Sequence, residues 1–183
     1  MGRGERVAMR MMGVAALSAA LCACAGVGGG EVIRIGPADS PIAGSVSVPP
    51  NAEIVYISGT VPDAIDVAAP QGSVERFGDT AAQTRSVLGQ IELALGQHGL
   101  GLGDVAMMRV FLVAPPGAAR MDFAGMMRAY RERFGIAAQP NKPARSTMQV
   151  AGLVDPGWLV EIEVTAARDP RTREKIVVTG SGR

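Results

Sequence analysis

The stretch PNKPARSTMQVAGLVDPGWLVEIEVTA, residues 140–166, holds two runs of alternating residues on either side of a turn signal. In the second run Val160, Ile162, Val164 and Ala166 fall on one face, and Glu161, Glu163 and Thr165 on the other. The first run sets Ser146, Met148 and Val150 against Arg145, Thr147 and Gln149. Pro143 fixes its own φ and turns Lys142 away from helix, so a strand can begin there. Asp155-Pro156-Gly157 lies between the runs, and if both apolar sets share one face, matching parity predicts a hairpin with an odd-numbered loop. The opposite face would then carry Arg145, Thr147, Gln149, Glu161, Glu163 and Thr165. A sheet with one apolar side requires a covering layer.

The sequence upstream supplies that layer. Thr80-Ala81-Ala82-Gln83 has capping-box spacing, with Asp79 as a rival cap, and Val87, Leu88, Ile91 and Leu95 form the apolar stripe of a helix that Gly96 or Gly99 can end. A second helix is predicted from about Asp122 to Phe134, with Phe123, Met126, Met127, Tyr130 and Phe134 as a core stripe and Gly135 after its end. Between them Val105–Val113 is apolar and β-branched, bounded by Asp104 and Pro115-Pro116, as expected of a central strand. Ser45–Val48 and Ala52–Gly59 predict strands around Pro49-Pro50-Asn51, with Ile54, Tyr56 and Ser58 on one side of the later strand. Residues 62–78 are mostly loop, with room for a short strand over Ile65–Ala68. His98 fits the end of the first helix as a terminal residue rather than a catalyst. The predicted fold is an α+β two-layer sandwich with two helices on the apolar face of the sheet.

Whole-chain properties exclude several function classes. The chain has 183 residues, 48% of them hydrophobic, enough for a single domain with a real core. Its 18 Lys and Arg against 17 Asp and Glu leave a net charge of +1, and aromatics are 4%. That balance argues against nucleic-acid binding, which calls for a basic field or a stacking surface. One histidine, and two cysteines confined to the first 24 residues, leave no metal cluster to expect in the folded part.

The first 24 residues predict an export signal: Arg3, Arg6 and Arg10 precede an apolar run, Met11–Leu21, too short to span a bilayer. Leu21-Cys22-Ala23-Cys24 resembles a bacterial lipoprotein cleavage box, with Cys24 in the acylated position. Residues 25–39 are then expected to be a flexible tether. The domain would occupy residues 40–169, and residues 170–183 a tail. This organisation places the domain on the periplasmic side of a bacterial membrane, anchored by lipid.

Six segments in collinear order carry a resemblance: YISGTVP (56–62), GDTAAQTRSVLGQIELAL (78–95), LGDVAMMRVFLV (102–113), MDFAGMMRAYRERFG (121–135), PNKPARSTMQVAGL (140–153) and LVEIEVTA (159–166). Together they resemble the Rid family, the YjgF-type, RidA-like reactive intermediate deaminases. The resemblance implies a chorismate-mutase-like sandwich with a mixed β-sheet, assembled as a homotrimer with small-molecule sites between subunits. It implies that Arg145 grips the carboxylate of a 2-imino acid, that Glu161 positions or activates water, and that Ser58, Gly59 and Thr147 line the pocket. The implied reaction yields a 2-keto acid and ammonia. Ile42 and Met127 stand where the family commonly has a tyrosine and an asparagine, implying a more apolar pocket.

Elementary chemistry gives these roles a basis. A planar guanidinium offers a carboxylate two parallel donors, and a glutamate within reach of water can assist proton transfer. Imines hydrolyse readily in water, so no cofactor is expected. In the odd-loop hairpin Glu161 lies opposite Gln149 or Ala151, with parity favouring Gln149, which puts the Arg145 and Glu161 backbones about 13 Å apart. That separation predicts that Arg145 of one subunit works with Glu161 of its neighbour. A second function remains compatible with the same residues: a noncatalytic small-carboxylate-binding or envelope interaction module.

Overall fold

The computed structural model describes residues 30–169. The expected export signal with Cys24, the first part of the tether and the tail lie outside the described residues. Eight principal elements follow one another: β1 (Ile33–Ile35), β2 (Ser45–Ser47), β3 (Glu53–Thr60), α1 (Thr80–Gly96), β4 (Val105–Leu112), α2 (Phe123–Arg131), β5 (Ala144–Gln149) and β6 (Val160–Arg168). They form a mixed four-stranded sheet in the order β3-β6-β4-β5, beside a small antiparallel β1-β2 sheet. The α+β two-layer sandwich is therefore as expected.

The core lies between this sheet and the helices. Val87, Leu88, Ile91 and Leu95 of α1 are fully buried against Met108, Val110 and Leu112 of β4 and the Val160, Ile162, Val164 and Ala166 face of β6. Asp79, the rival cap, is the one used: its carboxylate accepts from the Ala82 amide at 2.8 Å. The chain leaves α1 at Gly99, whose φ of 66° is the left-handed conformation glycine adopts without strain. The Leu100 amide then donates back to the Leu95 carbonyl at 3.0 Å. Asp122 caps α2 through the Gly125 amide, and this helix ends at Arg131, short of the expected Phe134.

Further sequence-based expectations change. First, β5 and β6 form no hairpin: β6 pairs antiparallel with β3 and β4, while β5 pairs parallel with β4 at the sheet edge. Parity tells which residues share a face once two strands are neighbours, but it does not make them neighbours. Second, the register Met108↔Arg145, Val110↔Thr147 and Leu112↔Gln149 turns Arg145, Thr147 and Gln149 toward the helix side of the sheet. Glu161, opposite Phe111, and Glu163, opposite Arg109, lie on the other side. Third, within the expected tether Ile33–Ile35 pairs with Ser45–Ser47, and Arg34 donates from Nη2 to the Gly103 carbonyl at 2.9 Å. The alternation Val32-Ile33-Arg34-Ile35 carried that signal. No strand forms over Ile65–Ala68; the Ile65 amide instead donates to the Arg76 carbonyl at 2.8 Å.

Gln83, fully buried on α1, ties the layers together. Its amide nitrogen donates to the Gly78 and Gly157 carbonyls, each at 2.9 Å, and its oxygen accepts from the Leu159 amide at 2.7 Å. Gln83→Leu strands these backbone groups away from water, so chemical denaturation should register a loss of about 2–3 kcal/mol.

Candidate functional site

The register divides the sequence-predicted residues between two places. On the helix side Arg145 reaches under α2, with its guanidinium carbon 4.3 Å from the Tyr130 ring centroid and 6.0 Å from that of Phe123. Its Nη2 approaches the Met127 sulfur at 3.1 Å, and Nη1 the Met126 sulfur at 3.9 Å. Its Nε is buried with no hydrogen-bond partner. No described acidic residue forms an ion pair with it. Burial lowers its pKa, Tyr130 offsets part of that, and the nearby charge of Arg131 adds a smaller lowering. A desolvated cation with sulfur and ring faces for company lacks the carboxylate that would normally compensate its burial. Thr147, on the same strand and side, also has a buried hydroxyl without a partner.

A cleft of about 610 Å³ opens onto this guanidinium, lined by Ser40, Pro41, Ile42, Phe123, Ala124, Met127, Arg128, Arg131 and Arg145. Its wall is held by Tyr130, whose hydroxyl donates to the Pro41 carbonyl at 3.0 Å. Burial pushes the Tyr130 phenol up to about 12, so it remains protonated near neutral pH and is no general base. Ile42 and Met127, the two departures noted in the sequence, both line the cleft. Phe123, assigned to the core stripe by its spacing, is 44% exposed and lines the cleft as well.

The second place is the open face of the sheet. The register of β3 on β6 shifts between Ile57↔Val164 and Thr60↔Ile162, so Ser58 and Gly59 together stand against the single Glu163, a bulge. Glu161 extends over Gly59, where a Cβ would overlap its Oε1. Ser58 lines a shallow hollow with Tyr56, Met107, Arg109, Glu163 and Thr165, in which Arg109 Nη1 meets Glu163 Oε1 at 2.6 Å. Glu163 is thus engaged, whereas Glu161 makes no ion pair among the described residues. Gly59→Ala should leave folding nearly intact, because the obstructing atoms belong to a movable side chain. It should displace the Glu161 carboxylate, so any turnover depending on Glu161 would fall with little change in melting temperature.

The structure therefore brings Arg145 and Thr147 together, and Ser58, Gly59 and Glu161 together. It does not bring the two groups together within one chain. The hairpin estimate of their separation assumed adjacent strands; in fact β4 intervenes and the side chains occupy opposite faces. Sequence reasoning missed Arg128 and Arg131. Their spacing of three on α2 was the available signal, since it places both on one helix face. Among the described residues no group of three or more His, Cys, Asp and Glu side chains is placed to hold a metal ion.

The fold is an α+β sandwich with an unpaired, half-buried arginine in a lateral cleft. The sequence profile of the family described as Endoribonuclease L-PSP matches residues 40–168, and the chain belongs to this family, the Rid or YjgF family. It is 35% identical over 136 residues to the 3-aminoacrylate deaminase RutC of Acinetobacter baylyi, covering 74% of this chain and 96% of that one. It is 29% identical over 139 residues to a RutC family protein of Pyrococcus abyssi, covering 76% and 98%. Among solved structures, a Rid family protein of unknown function from Yersinia pestis superposes with a TM-score of 0.57 at 22% identity, over 75% of this chain and 99% of that chain. A protein of unknown function from Pseudomonas aeruginosa does so with a TM-score of 0.50 at 28% identity, over 73% and 85%.

Proposed function

We propose that the protein is a Rid-type deaminase that hydrolyses small 2-imino acids, or their enamine tautomers, to 2-keto acids and ammonia. The observation that carries this reading is the Arg145 guanidinium, facing a cleft with no carboxylate of its own chain against it. A substrate carboxylate supplies the missing partner through two parallel hydrogen bonds and fixes the C=N carbon in place. Water adds to that carbon, its proton moves to nitrogen, and the carbinolamine collapses with cleavage of C–N and release of ammonia. Glu161 is the residue assigned to hold the water and carry the proton. Ser58 and Gly59 shape its surroundings, and Thr147 offers a hydroxyl beside Arg145.

Since Arg145 and Glu161 lie on opposite faces of one sheet, the reading requires that Glu161 come from a neighbouring copy, and we propose a homotrimer with its sites between subunits. Tyr56, 78% exposed on the open face of the edge strand β3, supports burial of that face in an assembly. The match to a 3-aminoacrylate deaminase supports the reaction class. Acylation at Cys24 and a periplasmic, lipid-anchored location complete the proposal; mass spectrometry of the membrane fraction tests them by the presence of a lipidated Cys24 peptide. A noncatalytic carboxylate-binding role is favoured by one observation, the absence of acidic side chains from the described lining of the Arg145 cleft. Ammonia release from freshly generated 2-imino acids decides between the two: turnover supports the deaminase, and carboxylate binding without turnover supports the binding module.

A further inference from the structure

The Arg145 cleft holds two more cations than anchoring one carboxylate requires. Arg128 and Arg131 lie one turn apart on α2 and line the cleft from exposed positions, while Arg145 sits half-buried deeper in. None of the three forms an ion pair among the described residues, and the Arg131 charge acts unfavourably on Arg145. The acid nearest in sequence, Glu132, is paired with Arg85, and Asp122 caps α2 through Oδ1 while its Oδ2 lies with Arg128 Nη2 over Gly125. Placement in the last turn suits both arginines to the helix dipole, but it does not require that they face a cleft already holding a cation. The rest of the lining is largely hydrocarbon from Ile42, Phe123, Ala124 and Met127.

The geometry points to a second anion subsite at Arg128 and Arg131, making the cleft selective for an amphipathic dianion. Its 2-imino or 2-oxo carboxylate meets Arg145, its short hydrocarbon spacer lies along Ile42, Phe123 and Met127, and its distal carboxylate or phosphonate meets the two exposed arginines. This inference rests on the proposed role of Arg145 and adds to it the substrate class. A second negative charge between two arginines relieves the repulsion among the three cations. An uncharged side chain of equal length gains only the apolar contact.

The test is calorimetric titration of the purified chain with 2-oxobutanoate, 2-oxoglutarate and 2-oxo-4-phosphonobutanoate, which share one head group. The two dianions should bind roughly tenfold tighter than the monoanion, and that preference should shrink as salt is raised. In the double variant Arg128→Gln/Arg131→Gln the dianion-to-monoanion ratio should fall to about one, with thermal melting confirming the fold. A preference for 2-oxoglutarate over the other two identifies a carboxylate subsite, and one for 2-oxo-4-phosphonobutanoate identifies a phosphate-like subsite; each supports the inference. Equal binding of all three by the native chain overturns the second subsite but leaves the Arg145 reading standing, as does a ratio that survives in the double variant. No binding of any 2-oxo acid overturns both.

Discussion

Arg145→Met should abolish measurable binding of small 2-oxo acids, a loss of roughly hundredfold or more, while leaving the protein as stable as before or slightly more so. The two halves of this result have one cause. The guanidinium is desolvated under α2 and is met by methionine sulfur and the Tyr130 ring rather than by an acid. Removing it relieves a burial penalty, and methionine fits an environment already built from Met126 and Met127. A structural arginine behaves in the opposite way. Arg168 is one: it is buried, bonded to Glu53 through two nitrogens, and donates to the Gly99 and His98 carbonyls. Its truncation should destabilise the fold by about 3 kcal/mol. Titration calorimetry and thermal melting, run on both variants, separate the roles. If Arg145→Met unfolds the chain, or still binds 2-oxo acids, the assignment of Arg145 as the anion anchor fails.

Glu161→Gln should reduce turnover of a 2-imino acid by roughly 10²- to 10⁴-fold and leave 2-oxo acid binding within about twofold. The carboxamide keeps the shape above Gly59 but cannot accept a proton. Mixing this variant with Arg145→Met gives a sharper result. Neither protein turns over alone, yet trimers reassembled from equal amounts should regain about one quarter of native activity, because one site in four then joins an intact Arg145 to an intact Glu161 across a seam. Two inactive proteins that stay inactive after verified mixing would show that these side chains do not share a site.

Most elements of the fold were legible because local physics determines them. The stripe Val87, Leu88, Ile91 and Leu95, the apolar run from Val105, and the alternation from Val160 each led to the element observed. Strand order was not legible, since it depends on which edges meet after α2 crosses over, and parity carries no such information. The faces of β5 were misassigned for a related reason. Met148 and Val150 were given to the core as the apolar set, but β5 is an edge strand whose helix side carries Arg145, which borders an open cleft, and Thr147, whose hydroxyl is buried. Arg145 and Glu161 could be singled out from their places in the six segments. Their segregation onto opposite faces required the register of β4 with both neighbours. Arg128 and Arg131 received no assignment from the sequence, because nothing in their spacing shows what their face looks onto.

The guanidinium with no acidic neighbour has one more consequence. Hydrolysis of C=N to C=O leaves the carboxylate untouched, so Arg145 would hold what leaves the cleft as firmly as what enters it. Its grip lowers the starting complex and the barrier top alike, tightening KM without raising kcat. Accumulating keto acid should therefore act as a competitive inhibitor, and at high substrate the pace would be set by escape rather than by bond breaking.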